Sequence, residues 1–525
     1  MPSLIPELNV VRKNWRKVDL KIALCYPNIY RAGMTGLPIR LLYALFNARE
    51  DVVCERFFIP TKNEPLTSLE SNQPLKKFDV IAFTLQYEID YVNVLRMLSE
   101  AGIPLKRKER GKDDPLVIAG GPCATENPEP LADYIDMFII GEVEPILNKL
   151  IYGMKQIKTP KEVVDLASLE GVYVPEARNL VRKVWIRRLD DAPHPLAQQV
   201  PLVDSKSPYM TIFGKTFNLE VTRGCSRGCR FCLIGFTARP MRPRSLKKLE
   251  GILEEGMRYT PVDKVSLIGS ALSDFPKLEE LCEYIISNNW RIAIPSIRPD
   301  AVTEKLARNI VKGKQRRITL APDGTSQRLR NLIHKGIEED QIIQAAKILH
   351  QNGIKQLKLY YIIGFPTEKS KDIKEMILLT KKIAEIGFNS IHVSVNPLIP
   401  KPHTPFQWEP FPDPTYLRKH LKLIKKELEK YGNIRVSGLN IRRAQIQAFL
   451  SLGDRKVGRV IELAARYGAS LGAWRKAFKE TGTSLGHYLR RKNLDEQLPW
   501  DFIQIDLNRC SLIKELEKAY SEPLN

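Results

Sequence analysis

From residue 19 to about 150, short apolar runs alternate with amphipathic stretches. Residues 21–26 (Lys-Ile-Ala-Leu-Cys-Tyr) and 79–84 (Asp-Val-Ile-Ala-Phe-Thr) are apolar runs of strand length, and residues 115–122 and 137–142 complete the set. Between them, residues 35–49 and 90–101 carry apolar side chains at helical spacing. Strands without alternation, separated by helices, predict a parallel sheet covered on both faces. A second series begins at residue 217, with strand patterns at 217–222, 264–269, 291–295, 317–321, 356–364 and 390–396 and helical stretches such as 246–259, 341–351 and 371–386. Six such units predict a partial (β/α)6 barrel, so the fold class is α/β with a Rossmann-like N-terminal domain. Residues 151–210 read as a proline-containing linker with a hairpin near 181–188, and the chain past 410 turns helical and basic, as in 417–430 and 460–479. The expected division is therefore 1–150, 151–210, 211–410 and 411–525.

Composition narrows the class. At 525 residues, 43% hydrophobic and 27% charged, the chain reads as a globular protein of two or three domains. No stretch reaches the roughly 18 to 20 apolar residues that span a bilayer, and the N-terminus lacks a signal-peptide core. Neither membrane insertion nor export is therefore expected, and eight cysteines, scattered without framework spacing outside the triplet, fit a reducing cytosol. A net charge of +22 attracts polyanions and makes RNA a candidate partner, although a lysine-rich proteome produces the same surplus.

Chemistry concentrates in one loop. Cys225, Cys229 and Cys232 stand in Thr-Arg-Gly-Cys-Ser-Arg-Gly-Cys-Arg-Phe-Cys, a Cys-x3-Cys-x2-Cys triplet just after an apolar segment. Three thiolates in so short a loop can hold three irons of a 4Fe-4S cluster and leave the fourth open to a small-molecule ligand. Zinc would want a fourth protein ligand from a second Cys or His pair, and none follows at usable spacing. Inert structural thiols fit poorly among the loop's glycines and arginines.

The triplet, with Phe231 before its third cysteine, resembles the radical S-adenosylmethionine enzymes. That resemblance implies a cluster whose open iron chelates the amino and carboxylate groups of S-adenosylmethionine, and whose reduction splits the sulfonium to a 5′-deoxyadenosyl radical. It further implies contacts at successive barrel strand ends. Gly269 and Ser270 lie where relatives show Gly-Gly-Glu, and Ser296 and Arg298 end the third strand. Asp323 falls in a segment similar to Pro-Glu-x-Gly-Ser, Ile363 and Gly364 in the adenine-packing segment, and residues 401–406 in a substrate-side segment. The first domain resembles the cobalamin-binding domain of one subclass, with Thr84, Gln86, Gly120, Gly121, Thr125, Gly141 and Glu142 as candidate cobalamin contacts at strand ends. Glycines there would let the backbone approach a large ligand. The Asp-x-His-x-x-Gly motif that supplies an axial histidine elsewhere is absent, so the alternatives are cobalamin without a protein imidazole or a bare Rossmann-like domain. The likeness covers most of residues 19–410 and is closest to a poorly characterised cobalamin-type family sharing Val-Val-Cys-Glu-Arg56, Gly-Gly-Pro122 and Leu-Pro-Trp-Asp501.

These residues predict an enzyme that abstracts hydrogen or transfers a methyl group at an unactivated carbon, served by an external one-electron reductant of the flavodoxin or ferredoxin kind. RNA, a protein side chain or a small metabolite could be the acceptor, and the basic tail favours RNA. A second reading takes Cys25, Cys54 and Cys123 as ligands of a further cluster, as in methylthiotransferases; a third is a non-enzymatic iron-sulfur protein that binds RNA. His350, His392 and His420 read as surface or packing residues, while His403 at the barrel mouth is a candidate proton carrier.

Overall fold

The computed structural model describes residues 5–61 and 64–521. The first series folds as a six-stranded sheet in the order β2-β1-β3-β4-β5-β6, built from β1 (Leu20–Tyr26), β2 (Val52–Phe58), β3 (Val80–Thr84), β4 (Leu116–Gly120), β5 (Met137–Ile139) and β6 (Val172–Tyr173). The first five are parallel; β6 closes the edge antiparallel to β5. β2 carries Glu55 and Arg56 within a strand whose seven residues are all buried. Burial is possible because Arg56 is met by Glu7 at 2.6 Å and Glu70 at 2.7 Å, which satisfies the guanidinium inside the fold.

Alternation divides that sheet between two cores. Ala23, Cys25, Phe57, Ile81 and Phe83 face one side, packed with the helix Tyr91–Glu100. Leu24, Cys54, Ala82, Ile118 and Ile139 face the other, under the helices Pro38–Asn47 and Leu147–Gln156.

In the barrel, strands one to three (Phe217–Glu220, Lys264–Ile268, Arg291–Ala293) are parallel, as are strands four to six (Arg317–Asp323, Gln356–Ile363, Ser390–Pro397). A parallel bridge from Ile297 to Leu320 joins the halves. A seventh strand, Ile434–Ser437, extends the sheet beside the sixth after the amphipathic helix Pro414–Leu428. The basic chain past 410 therefore begins as barrel.

The expected hairpin near 181–188 does not form. Val181–Arg182 pairs instead with Ile503–Gln504, and Val184 bridges Gly141. The helical C-terminal region is also docked: Asn127 donates to the carbonyls of Ser451 and Gly453, and Tyr134 donates to that of Gly458. One helix expected over 460–479 is two, Val457–Arg466 and Leu471–Thr481, because Gly468 and Ala469 turn the chain with positive φ.

Candidate active site

The cysteine loop is shaped by two glycines. Gly224 has φ +81 and a Cβ there would sit 1.9 Å from the Ala238 carbonyl, while Gly228 has φ +70. The Cys232 N–H donates to the Cys229 carbonyl at 2.8 Å, and Arg230 N–H to Ile333 O at 3.0 Å, which pins the loop to the segment after the fourth strand. Burial pushes the Cys229 thiol up to about 11 against the pull of nearby Lys335, so metal loading must expel a proton. Among the described residues the tight three-ligand group, with ligand atoms within 4.8 Å of one another, is Glu88, Cys123 and Glu126. Three thiol donors on one short loop suit the edge of an iron–sulfur cluster.

Around the loop gather charged side chains from later strand ends. Asp323, held at φ +57, pairs with Lys335 at 2.5 Å. Arg298 pairs with Asp300 at 2.9 Å and donates to the Lys335 carbonyl at 3.0 Å. Lys335, Asp323 and Arg298 all act electrostatically on Cys229. Ser296 is half-buried at the end of the third strand. Phe231 packs at 5.7 Å against Phe365, which follows Ile363 and Gly364. Gly364 has φ +85 and gives its N–H to Glu368 at 2.7 Å. Burial raises Glu368 to about 7, which keeps a carboxyl proton behind this strand end. Gly269 packs on Thr222, whose Oγ1 would lie 2.3 Å from any Cβ there.

Ser270 also lines a cavity of about 390 Å³ between the N-terminal sheet and the barrel. Thr84, Gln86, Gly120, Gly121, Gly141 and Glu142 line it. From the strand ends it runs down one sheet face, past Ala82 and Ile118, beneath Leu42 and Phe46 of the helix Pro38–Asn47. The barrel closes it with Glu220, Arg223 and Ile268, and no histidine lines it. A polar mouth over an apolar slot suits a large flat ligand with an arm.

Four candidate cobalamin contacts also have structural roles. Gly121 and Gly141, at φ +104 and +103, are glycines because a Cβ would meet Leu85 O at 2.7 Å and Val184 O at 2.1 Å; the crowding is with the protein's own backbone. Thr125 accepts the Gly141 N–H at 3.0 Å and supports the rim from behind. Glu142 is engaged by Arg242 at 2.8 Å, Arg223 at 3.1 Å and the Ile186 N–H at 2.8 Å. Arg223, two residues before Cys225, also bonds Glu144 at 2.8 Å and Glu220 through two nitrogens. This guanidinium clamp between the domains was not foreseen.

Nor was a second joint. Lys401, in the loop after the sixth strand, pairs with Glu88 and lies 3.3 Å from Glu126, all buried or nearly so, with Cys123 beside them. Gln447 donates to Glu88 at 2.9 Å. Burial lowers Lys401 to about 7 and raises Glu126. The run of lysine and prolines from 401 marked the segment, but its partners lie some 300 residues earlier.

Cys54 projects from the opposite sheet face to Cys25 and Cys123, so the three cannot share one cluster. His350 and His392 bond neighbouring elements, and His420 is buried against Ser370. Burial lowers His403 to about 3, so it is no proton carrier near neutrality.

Residues 38–175 match the family described as radical SAM proteins, N-terminal, and residues 219–380 match the radical SAM superfamily. The chain is 32% identical to the uncharacterised protein MJ0966 of Methanocaldococcus jannaschii, over 88% of this chain and 95% of that one. It is 25% identical to a putative methylthiotransferase, MJ0865, of the same organism, covering 62% and 69%. Among solved structures, the radical S-adenosylmethionine methyltransferase TsrM of Kitasatospora setae, with cobalamin and a [4Fe-4S] cluster, superposes with TM-score 0.56 at 13% identity, over 88% of this chain and 98% of that one. Cysteine loop, barrel and preceding parallel sheet together make this chain an enzyme of the radical S-adenosylmethionine superfamily, with the domain arrangement of its cobalamin-dependent members.

Proposed function

We propose that the chain cleaves S-adenosylmethionine reductively and uses it to methylate, or otherwise modify by radical chemistry, an unactivated carbon of an RNA. The observation that carries this reading is the three-cysteine loop beside the barrel's strand ends, with Lys335, Asp323 and Arg298 gathered around Cys229. Cys225, Cys229 and Cys232 would hold the cluster; Phe231, Gly269, Ser270, Ser296, Arg298, Asp323, Ile363 and Gly364 are the proposed S-adenosylmethionine contacts. When bound, the cluster supplies one electron and cobalamin a transferable methyl group.

The chain's own residues orient and enclose. Lys335 places a buried ammonium beside Cys229, and its pairing with Asp323 fixes that strand end. Gly364, its N–H held by Glu368 and packed on Pro412, fixes the backbone beside Phe365 and Phe231. Thr84, Gln86 and Gly120 give the proposed cobalamin cavity its polar mouth, and Glu142 with Arg223 holds the two domains around it. The +22 charge supports an RNA acceptor and an acidic electron carrier of the flavodoxin or ferredoxin kind.

Anaerobically reconstituted protein given dithionite and S-adenosylmethionine should yield 5′-deoxyadenosine or S-adenosylhomocysteine; formation of neither defeats the proposal. The methylthiotransferase alternative draws on the likeness to MJ0865. The opposed cysteines predict about four irons per chain, against about eight for a second cluster.

A further inference from the structure

Strands four to seven of the barrel bury one face and leave the other open. Leu357, Leu359, Val393 and Ile434 join the apolar core beneath the outer helices, which contribute Ile342, Met376 and Ile424 to it. The alternate positions turn into the barrel. There the register sets Thr319, Lys358, His392 and Arg435 abreast in one row. A closed barrel fills such a row with branched apolar side chains; here it is polar, with Lys358 and His392 part-exposed and Arg435 exposed. Arg317 stands just below, its Nε donating to Gln356 Oε1 at 3.0 Å.

No carboxylate answers these cations. Arg435 donates to the Ile434 carbonyl at 3.1 Å, and Lys358 Nζ lies 4.6 Å from the Tyr360 ring centroid; among the described residues neither they nor Arg317 form an ion pair. The acidic inward position on these strands, Asp323 at the upper end of the fourth, is taken by Lys335. His392 registers the excess: burial, then Lys358 and Arg317, lower its pKa, and its Nε2 rests 2.6 Å from Ser437 Oγ. Like charges left side by side raise the energy of the fold, a cost that a bound polyanion removes.

The row is reachable from the side. The two half-sheets meet at the Ile297 to Leu320 bridge, and the seventh strand pairs with the sixth alone, so among the described residues no backbone pairing closes the wall between it and the first strand. Ser437 and Gly438 are exposed at that gap. The same strands carry proposed S-adenosylmethionine contacts at their upper ends. Ile363 lies roughly 17 Å further along its strand than Lys358, at about 3.3 Å per residue.

We infer that this row, Lys358 and Arg435 with Arg317 below, takes the sugar-phosphate backbone of a single-stranded RNA that enters beside the seventh strand and presents the nucleotide to be modified at the upper rim. This rests on the RNA-modifying reading above and gives it a binding surface. A single strand fits because a base must leave its stack before chemistry can reach it.

The test is binding of a mixed-sequence single-stranded RNA to the reconstituted full-length protein across a salt series. Lys358→Gln combined with Arg435→Gln removes two phosphate contacts. It should weaken binding about tenfold and reduce the slope of log affinity against log salt by about 1.4, at roughly 0.7 per phosphate. Lys419→Gln combined with Lys422→Gln removes the same charge from the exposed outer face of the helix Pro414–Leu428 and should bind like wild type. Wild-type protein that binds no RNA, or two double variants that weaken binding alike, overturn the inference. Adenosine 5′-monophosphate bound as tightly as the RNA also overturns it, in favour of a ligand with one phosphate. Formation of 5′-deoxyadenosine separates the two levels: where RNA binding fails and it still forms, only the surface falls, and where it does not form the radical-enzyme reading falls as well.

Discussion

At one joint between the N-terminal sheet and the barrel, Arg223, Arg242 and Arg244 meet Glu142, Glu144 and Glu220; at the other, Lys401 meets Glu88 and Glu126. The first balances three cations against three carboxylates with planar, two-pronged contacts, and it borders the cavity. The second is buried deeper and carries one more carboxylate than ammonium, with Glu126 Oε2 left unpartnered. Guanidinium forks can satisfy several carboxylates geometrically; a lysine supplies one compact charge and answers burial by shifting its pKa. The difference predicts where substitution hurts most.

The largest effect belongs to Lys401→Met, which removes the cation shared by two buried acidic side chains and should destabilise the fold by about 3–5 kcal/mol in denaturant unfolding. Adding Glu88→Gln and Glu126→Gln should recover most of the loss; a triple variant no better than the single would show the joint is not electrostatic. Next comes Gly141→Ala, whose methyl would meet the Val184 carbonyl at φ +103 beside the arginine joint, costing about 3 kcal/mol by the same measurement. Arg223→Lys should cost about 2 kcal/mol, read as a lowered melting temperature, because an ammonium cannot grip Glu220 twice and still reach Glu144. A lysine variant as stable as wild type would erase the distinction between the joints.

The smallest effect is a control outside both joints. Glu368 has its carboxyl raised from 4.5 to about 7, so the folded state holds a proton the unfolded chain releases. Its contribution is full below about pH 4.5 and fades as pH rises to about 7; Glu368→Gln, uncharged at every pH, should flatten that part of the profile and change stability little below about pH 4.5. An unchanged stability profile in the variant would place the titration elsewhere.

Most strands were legible because they are apolar throughout, and the helix expected at 246–259 forms with those bounds. β2 escaped notice because Glu55 and Arg56 break its apolar run, and the partners that permit their burial, Glu7 and Glu70, lie outside the strand. The seventh barrel strand reads Ile-Arg-Val-Ser with two exposed side chains, too weak a pattern beside so basic a helix. Val181–Arg182 found its partner at Ile503–Gln504, a pairing no local signal announces. In the site, cysteine spacing is local and could be read directly. Lys335, Lys401 and the Arg223 clamp acquire meaning only when distant strand ends converge, and Gly121 and Gly141, expected as ligand contacts, line the cavity and are also crowded by main chain.

The helix Arg509–Ser521 lies against the 405–408 turn and reaches Arg230 through Glu515 at 3.5 Å, while Tyr520 grips Glu409. During synthesis this helix leaves the ribosome after every barrel strand has been made, and domains fold as they emerge. The barrel and its cysteine loop can therefore form before this brace is in place.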